Sequence, residues 1–123
     1  MNDHQKLEAW TTGVINKRLP DALTVLAYLL KAGLKRGQCS AQDIPEELEF
    51  DEPNVIGAIF KLLPRCGFIK DRTQYVKLTV GKKHGREVPL WRLAEHWKAD
   101  FVLSKLRRAL PMAEDIDKQM RLF

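Results

Sequence analysis

Apolar positions recur along this chain first at helical spacing and then at strand spacing, and the change comes at Gly67. Leu7, Trp10, Val14 and Ile15 predict a weak N-terminal helix over residues 1–18, interrupted by Thr11-Thr12-Gly13. Pro20-Asp21 opens a stronger helix, because proline suits a first helical position and aspartate suits the positive end of the helix dipole. Leu23, Leu26, Ala27, Leu30 and Leu34 repeat at helical spacing and predict burial on one face, with Gly33 and Gly37 bracketing the end. Ser40-Ala41-Gln42-Asp43 has the form of a capping box. Pro45 stands where a proline would remove a helical hydrogen bond, so the second helix is expected to be short, from Pro45 to about Phe50. A third helix is predicted from Pro53, with the stripe Ile56, Ile59, Phe60 and Leu63, a tightening at Pro64 and a stop at Gly67.

Beyond Gly67 strand formers dominate. Phe68-Ile69 and Tyr75–Val80 predict strands, Gly81–Arg86 a polar turn, and Val88–Leu93 a return strand that Pro89 suggests lies at an edge. A last helix is predicted over roughly Ala94 to Leu110. Its buried stripe is Val102, Leu103, Leu106 and Leu110, and Lys98, Lys105, Arg107 and Arg108 lie outside that stripe.

A length of 123 residues allows one domain with a real core. A hydrophobic share of 45% with 30% charged residues describes an ordinary globular chain. No apolar run is long enough for a membrane span and the first 20 residues lack a signal-peptide pattern, so a cytoplasmic location and no membrane partner are expected. Cys39 and Cys66 are expected as free thiols rather than a disulfide, with Cys66 buried. The dispersed cysteines and three histidines have no metal-ligand spacing, so no metal and no cofactor are expected.

Charge changes the picture more than composition does. Residues 41–53 carry six acidic side chains and no base, whereas residues 61–92 carry nine bases against Asp71 and Glu87, a net of +7. A basic stretch that clusters at a predicted hairpin is the electrostatic footprint of a nucleic-acid binder, although charge runs are also common on plain solvated surfaces.

The order helix, short helix, helix, hairpin is that of a winged helix-turn-helix. Asn54–Phe60, then Arg65-Cys66-Gly67-Phe68-Ile69, then His84–Arg92 resemble small winged-helix proteins of bacteriophages and mobile elements, over about residues 20–95. There the third helix ends in a glycine and a long basic wing closes on a tryptophan. The fold class this implies is mainly α with a small β-hairpin, a winged helix-turn-helix with extra N- and C-terminal helices. The expected organisation is an N-terminal helical extension over 1–19, a winged-helix domain with its C-terminal helix over 20–110, and a flexible tail over 111–123. By the same resemblance, Lys77, Lys82, Lys83, His84 and Arg86 would contact phosphates from the wing, and Asn54, Lys61 and Arg65 would be the polar groups of the third helix. Gly57 and Ala58 would let that helix approach DNA closely. Three polar side chains are a thin set for reading base edges, and the second helix is acidic, so weakly sequence-specific binding is expected. Five phosphate contacts from the wing would give a log–log salt slope of roughly −4. Trp91 and Trp97 are read as core, joining the wing to the last helix, with stacking on single-stranded DNA as the lesser alternative for either, and Trp10 is read as a pin for the N-terminal segment.

The tail carries a second resemblance. Gln119-Met120-Arg121-Leu122-Phe123 is similar to the peptide by which bacterial replication and repair proteins dock on the ring-shaped sliding clamp: Gln, Leu or Met, a variable residue, Leu-Phe. Gln119, Met120, Leu122 and Phe123 occupy the fixed positions. An extended segment of this kind binds through a few side-chain anchors, and Met adapts to irregular pockets. Met112, Ile116, Met120 and Phe123 also have the spacing of one helical face, so packing on the body is the competing reading. No phosphate loop, nucleophile–base arrangement or apolar pair of carboxylates is found, which argues against an enzyme. The combined expectation is a non-enzymatic DNA-binding accessory protein of replication or repair, with bacteriophage-type relatives, that is recruited to the sliding clamp. A winged-helix transcription regulator and a clamp-groove inhibitor that blocks host replication proteins are the alternatives. Oligomeric state is not legible.

Overall fold

The computed structural model describes residues 2–45, 54–77 and 87–110. They form a mainly helical body with a small antiparallel sheet. Helix α1 runs Asp3–Lys17. Asn2 caps it: its side chain accepts from the Gln5 N–H at 2.9 Å, and the Gln5 side chain accepts from the Asn2 N–H at 3.1 Å. The interruption expected at Thr11-Thr12-Gly13 is absent. Thr11 is fully buried and its hydroxyl donates to the Leu7 carbonyl at 2.7 Å, so packing holds the helix through a sequence that reads as a breaker.

Helix α2, Pro20–Arg36, starts at its proline as expected and ends at Gly37. Gly37 takes φ 78°, the left-handed conformation that glycine adopts without a steric cost, and its N–H donates to Gly33 at 2.7 Å. Burial is wider than the one face expected. Val25, Leu26, Ala27, Leu29 and Leu30 are all fully buried, because α2 is packed by elements on several sides. A helix apolar all round is a central one. Each of its large side chains contributes about 1.5–3 kcal/mol through burial.

Strand β1, Gln38–Cys39, follows directly and has no counterpart in the sequence-level expectation. The Ser40 capping box is present and opens a single 3-10 turn, Ala41–Asp43. Asp43 accepts from the Ser40 N–H at 2.9 Å, the Ser40 hydroxyl accepts from Gln42 at 3.2 Å, and Arg36 pairs with Asp43. The helix expected over Pro45–Phe50 falls mostly outside the described residues.

Helix α3, Asn54–Phe60, is followed by a 3-10 turn over Leu63–Cys66 that has Pro64 in its first turn. Gly67 at φ 89° ends it, at the stop expected. Strand β2, Phe68–Lys77, is one strand with an irregular register between Lys70 and Tyr75, rather than two separate runs. Strand β3 is Glu87–Leu93. The turn expected between β2 and β3, residues 81–86, lies outside the described residues. The sheet order is β1-β3-β2, so β3 is central and not the edge strand that Pro89 suggested. The reason is local. Strand β1 pairs only with Trp91 and Arg92, so β3 at Pro89 has β2 as its sole described neighbour.

Helix α4, His96–Ala109, buries Ala99, Val102, Leu103 and Leu106, with Leu110 just beyond, which is the stripe expected. It packs on α2 and on α1. Trp91 is buried and Trp10 and Trp97 are partly buried against the core. Both cysteines are free and buried. No helix among the described residues is long and apolar enough to cross a membrane.

Candidate nucleic-acid interface

The segment from α3 to Gly67 places its bases by anchoring what lies between them. Ile59, Leu63 and Cys66 are fully buried and share one helical stripe. Lys61, Pro64 and Arg65 are therefore turned outward, and all three are exposed. Phe60 stacks on Trp91 at 6.3 Å between centroids and 28° between planes, which ties this segment to the central strand. The Gly67 carbonyl accepts from Ala94 at 2.8 Å and Glu95 at 3.0 Å, fixing the turn against the start of α4. Lys61 and Arg65 thus stand exposed on either side of the buried Leu63. Asn54 begins α3.

The sheet carries the remaining described bases. Gln38, Arg92 and Ile69 lie opposite one another across the three strands, and all are exposed. Ile69 is 62% exposed and Tyr75 57%. Arg92 binds Asp71 at 3.0 Å. Lys70 and Lys77 are exposed on β2.

These positions do not form one cluster. The pair Phe68–Leu93 and the pair Lys77–Glu87 are six residues apart along β3, a distance of about 20 Å at the rise of a strand. Lys77 therefore sits far from Lys61 and Arg65 and directly opposite a carboxylate. Lys61 and Arg65 are both exposed in one short segment; Lys77 is separated from them. Lys82, Lys83, His84 and Arg86 lie outside the described residues, as do Gln119, Met120, Leu122 and Phe123.

Sequence reasoning passed over Arg92 as a site residue, and the outward row of Ile69, Arg92 and Gln38 with it. The signal available was the alternation of Phe68 in and Ile69 out, since residues paired across strands share a face. The thiols offer no chemistry at this surface. Burial pushes Cys39 up to about 12 against a smaller pull from Arg36, and burial together with Cys39 pushes Cys66 up to about 12. Among the described residues no group of three or more histidine, cysteine or carboxylate side chains converges on a point. The described face offers exposed cations, amide and apolar side chains, which can hold phosphate and sugar. Comparison with protein-family models, with curated proteins and with solved structures finds no match to this chain.

Proposed function

We propose that this chain is a non-enzymatic DNA-binding accessory protein of replication or repair, with a winged-helix body, that is recruited to the bacterial sliding clamp by Gln119, Met120, Leu122 and Phe123. The observation that carries the proposal is the pentapeptide Gln119-Met120-Arg121-Leu122-Phe123, which fits the clamp-docking pattern at every fixed position. Three apolar anchors and one amide suit an extended peptide seated in pockets.

The body supports a DNA-facing role through Lys61 and Arg65, held outward by a buried stripe. The succession α2, β1, 3-10 turn, α3, β2, β3 supports the winged-helix reading. Strand β1 ties the end of α2 to the hairpin, which gives helices and hairpin a common sheet. With two described bases on the third helical segment, contact is to backbone more than to base edges.

The test is the binding of a bacterial sliding clamp to the full-length protein and to a version lacking Gln119–Phe123. Binding on the order of micromolar or tighter that disappears with the pentapeptide is the expected result. No binding by either version, or equal binding by both, refutes clamp recruitment. For the body, Lys61→Glu with Arg65→Glu is expected to lower the salt slope of duplex binding by about 2. An unchanged slope removes the α3 segment from the interface.

A further inference from the structure

A second surface is the cleft between α1 and α4. It has a volume of about 310 Å³ and is lined by His4 of α1 and by Trp97, Asp100, Phe101, Ser104, Lys105 and Arg108 of α4. Positions 97, 101, 104 and 108 follow one another at i, i+4, i+7 and i+11, a single stripe beside the buried one. The stripe is aromatic at its first end and cationic at its last.

Trp97 and Phe101 pack on the core with one side and keep part of their surface in the cleft. His4 meets Trp97 at a tilt, 4.5 Å between centroids and 38° between planes, and meets Phe101 edge-on at 6.0 Å. Lys98 stands 5.8 Å from the Trp97 centroid and Lys105 stands 5.9 Å from the Phe101 centroid. Lys98 and Lys105 are committed to Glu95 at 3.0 Å and Glu8 at 2.9 Å. Arg108 is exposed and pairs with no carboxylate among the described residues.

We infer that the α1–α4 cleft binds single-stranded nucleic acid, with a base against Trp97 and Phe101 and the adjoining phosphate at Arg108 and Ser104. The chemistry of the two ends selects this occupant. Base stacking on aromatic rings is tolerant of sequence and combines with cations that follow the backbone. A volume of about 310 Å³ is at the lower end of small-molecule sites, which suits one flipped or unpaired nucleotide. Asp100 repels phosphate from the aromatic end, so the backbone is directed to Arg108, and its carboxylate is left to accept from a base amino group. A duplex cannot present a base face to this cleft, so the site discriminates by strandedness. The inference is independent of the clamp peptide and of Lys61 and Arg65.

The test uses the full-length protein and a fluorescein-labelled single strand of mixed sequence, about 12 nucleotides long, within the span that one small domain covers. Arg108→Glu is expected to weaken single-strand binding about tenfold, and Trp97→Phe to remove most of the tryptophan quenching that binding produces. Lys17→Glu, about 20 Å along α1 from His4, makes the same charge change away from the cleft and is expected to leave single-strand affinity within about twofold. The Lys61→Glu, Arg65→Glu protein is expected to keep single-strand binding while its duplex binding weakens with the lowered salt slope, so the two surfaces fail separately. Photocrosslinking is expected to join the strand to Trp97 or Phe101. Equal losses in Arg108→Glu and Lys17→Glu, or crosslinks only on the β2–β3 side, overturn the inference. So does a cleft that shifts its amide resonances on removal of residues 111–123 but not on addition of the strand, which would assign it to the tail.

Discussion

Replacing Gly33 by alanine sets two effects of known size against each other. Gly33 lies inside α2, where alanine is favoured over glycine by about 0.8–1.0 kcal/mol. A methyl group at that position would overlap two carbons of the Phe68 ring. Phe68 is 2% exposed and starts β2 directly after the left-handed Gly67, so the ring has no vacant direction to take. Overpacking a core costs about 1–3 kcal/mol, and an overlap with two ring atoms belongs in the upper half of that range. The overlap outweighs the propensity gain, and Gly33→Ala is expected to destabilise by about 1–2 kcal/mol. At a urea m-value of about 2 kcal/mol/M, the unfolding midpoint falls by roughly 0.5–1 M. Gly13 is the internal control. It lies in α1 with nothing within 4 Å of an added Cβ, so Gly13→Ala is expected to stabilise by about 0.5–1 kcal/mol. Phe68→Leu removes the overlapping atoms, and in that background Gly33→Ala is expected to become neutral or stabilising, a coupling of about 1–3 kcal/mol. A Gly33→Ala protein as stable as Gly13→Ala, or a penalty that persists in Phe68→Leu, refutes the reasoning.

Lys105 donates to Glu8 at 2.9 Å, and that hydrogen bond and charge hold the Glu8 carboxyl below its ordinary 4.5. A depressed folded value gives stability that is present above the unfolded value and lost as pH falls through the folded one. The urea-midpoint difference between the wild type and Glu8→Gln is therefore expected above pH ~5 and to close at lower pH and at high salt; a difference constant with pH contradicts the pairing. The thiols of Cys39 and Cys66, both pushed up to about 12, are expected to ignore an aromatic disulfide reagent near pH ~8 until urea unfolds the chain. Fast reaction of either in native buffer contradicts its burial. Gly57 is exposed on α3 with nothing within 4 Å of an added Cβ, so Gly57→Gln is expected to stabilise by a few tenths of a kcal/mol or more while weakening duplex binding several-fold. Unchanged duplex affinity moves DNA contact off that face of α3.

The features legible in the sequence are those decided within one or two turns of chain. Pro20 and Gly37 bound α2, Ser40 and Asp43 build their box, and Gly67 stops the third helical segment, each because of its own backbone preference or a neighbour three residues away. Strand β1 was illegible for the complementary reason. Two residues carry no period, and Gln38-Cys39 becomes a strand because Gly37 turns the chain back along β3, where the Leu93 N–H donates to the Gly37 carbonyl at 2.9 Å. Thr11 makes the same point inside a helix. Its hydroxyl bond to Leu7 and its complete burial come from α1 lying on the body, and no window around residue 11 contains that information.

The candidate sites divide along the same line. Counting nine bases against two acids between residues 61 and 92 treats charge as a sum along the chain. In three dimensions Asp71 takes Arg92, Glu87 stands opposite Lys77, and Lys61, Arg65 and Lys70 remain exposed. Affinity for DNA follows the number of phosphates that are neutralised, so the pairing decides more than the total. The α1–α4 cleft is the converse case. The buried stripe of α4 is legible in its sequence, with Lys98, Lys105, Arg107 and Arg108 outside it and Trp97 expected in the core, but nothing in α4 alone shows that α1 forms a cleft beside it. Glu8 and Lys105, which close one side of the contact, are 97 residues apart. What the sequence does hold is the stripe Trp97, Phe101, Ser104 and Arg108 beside the buried one. Trp97 and Phe101 pack on the core and still keep apolar surface in the cleft, in register with an arginine that pairs with no carboxylate among the described residues. Such a stripe is explained when a second element or a ligand covers it. Here α1 covers part of it through His4, and the proposed single strand would cover the remainder.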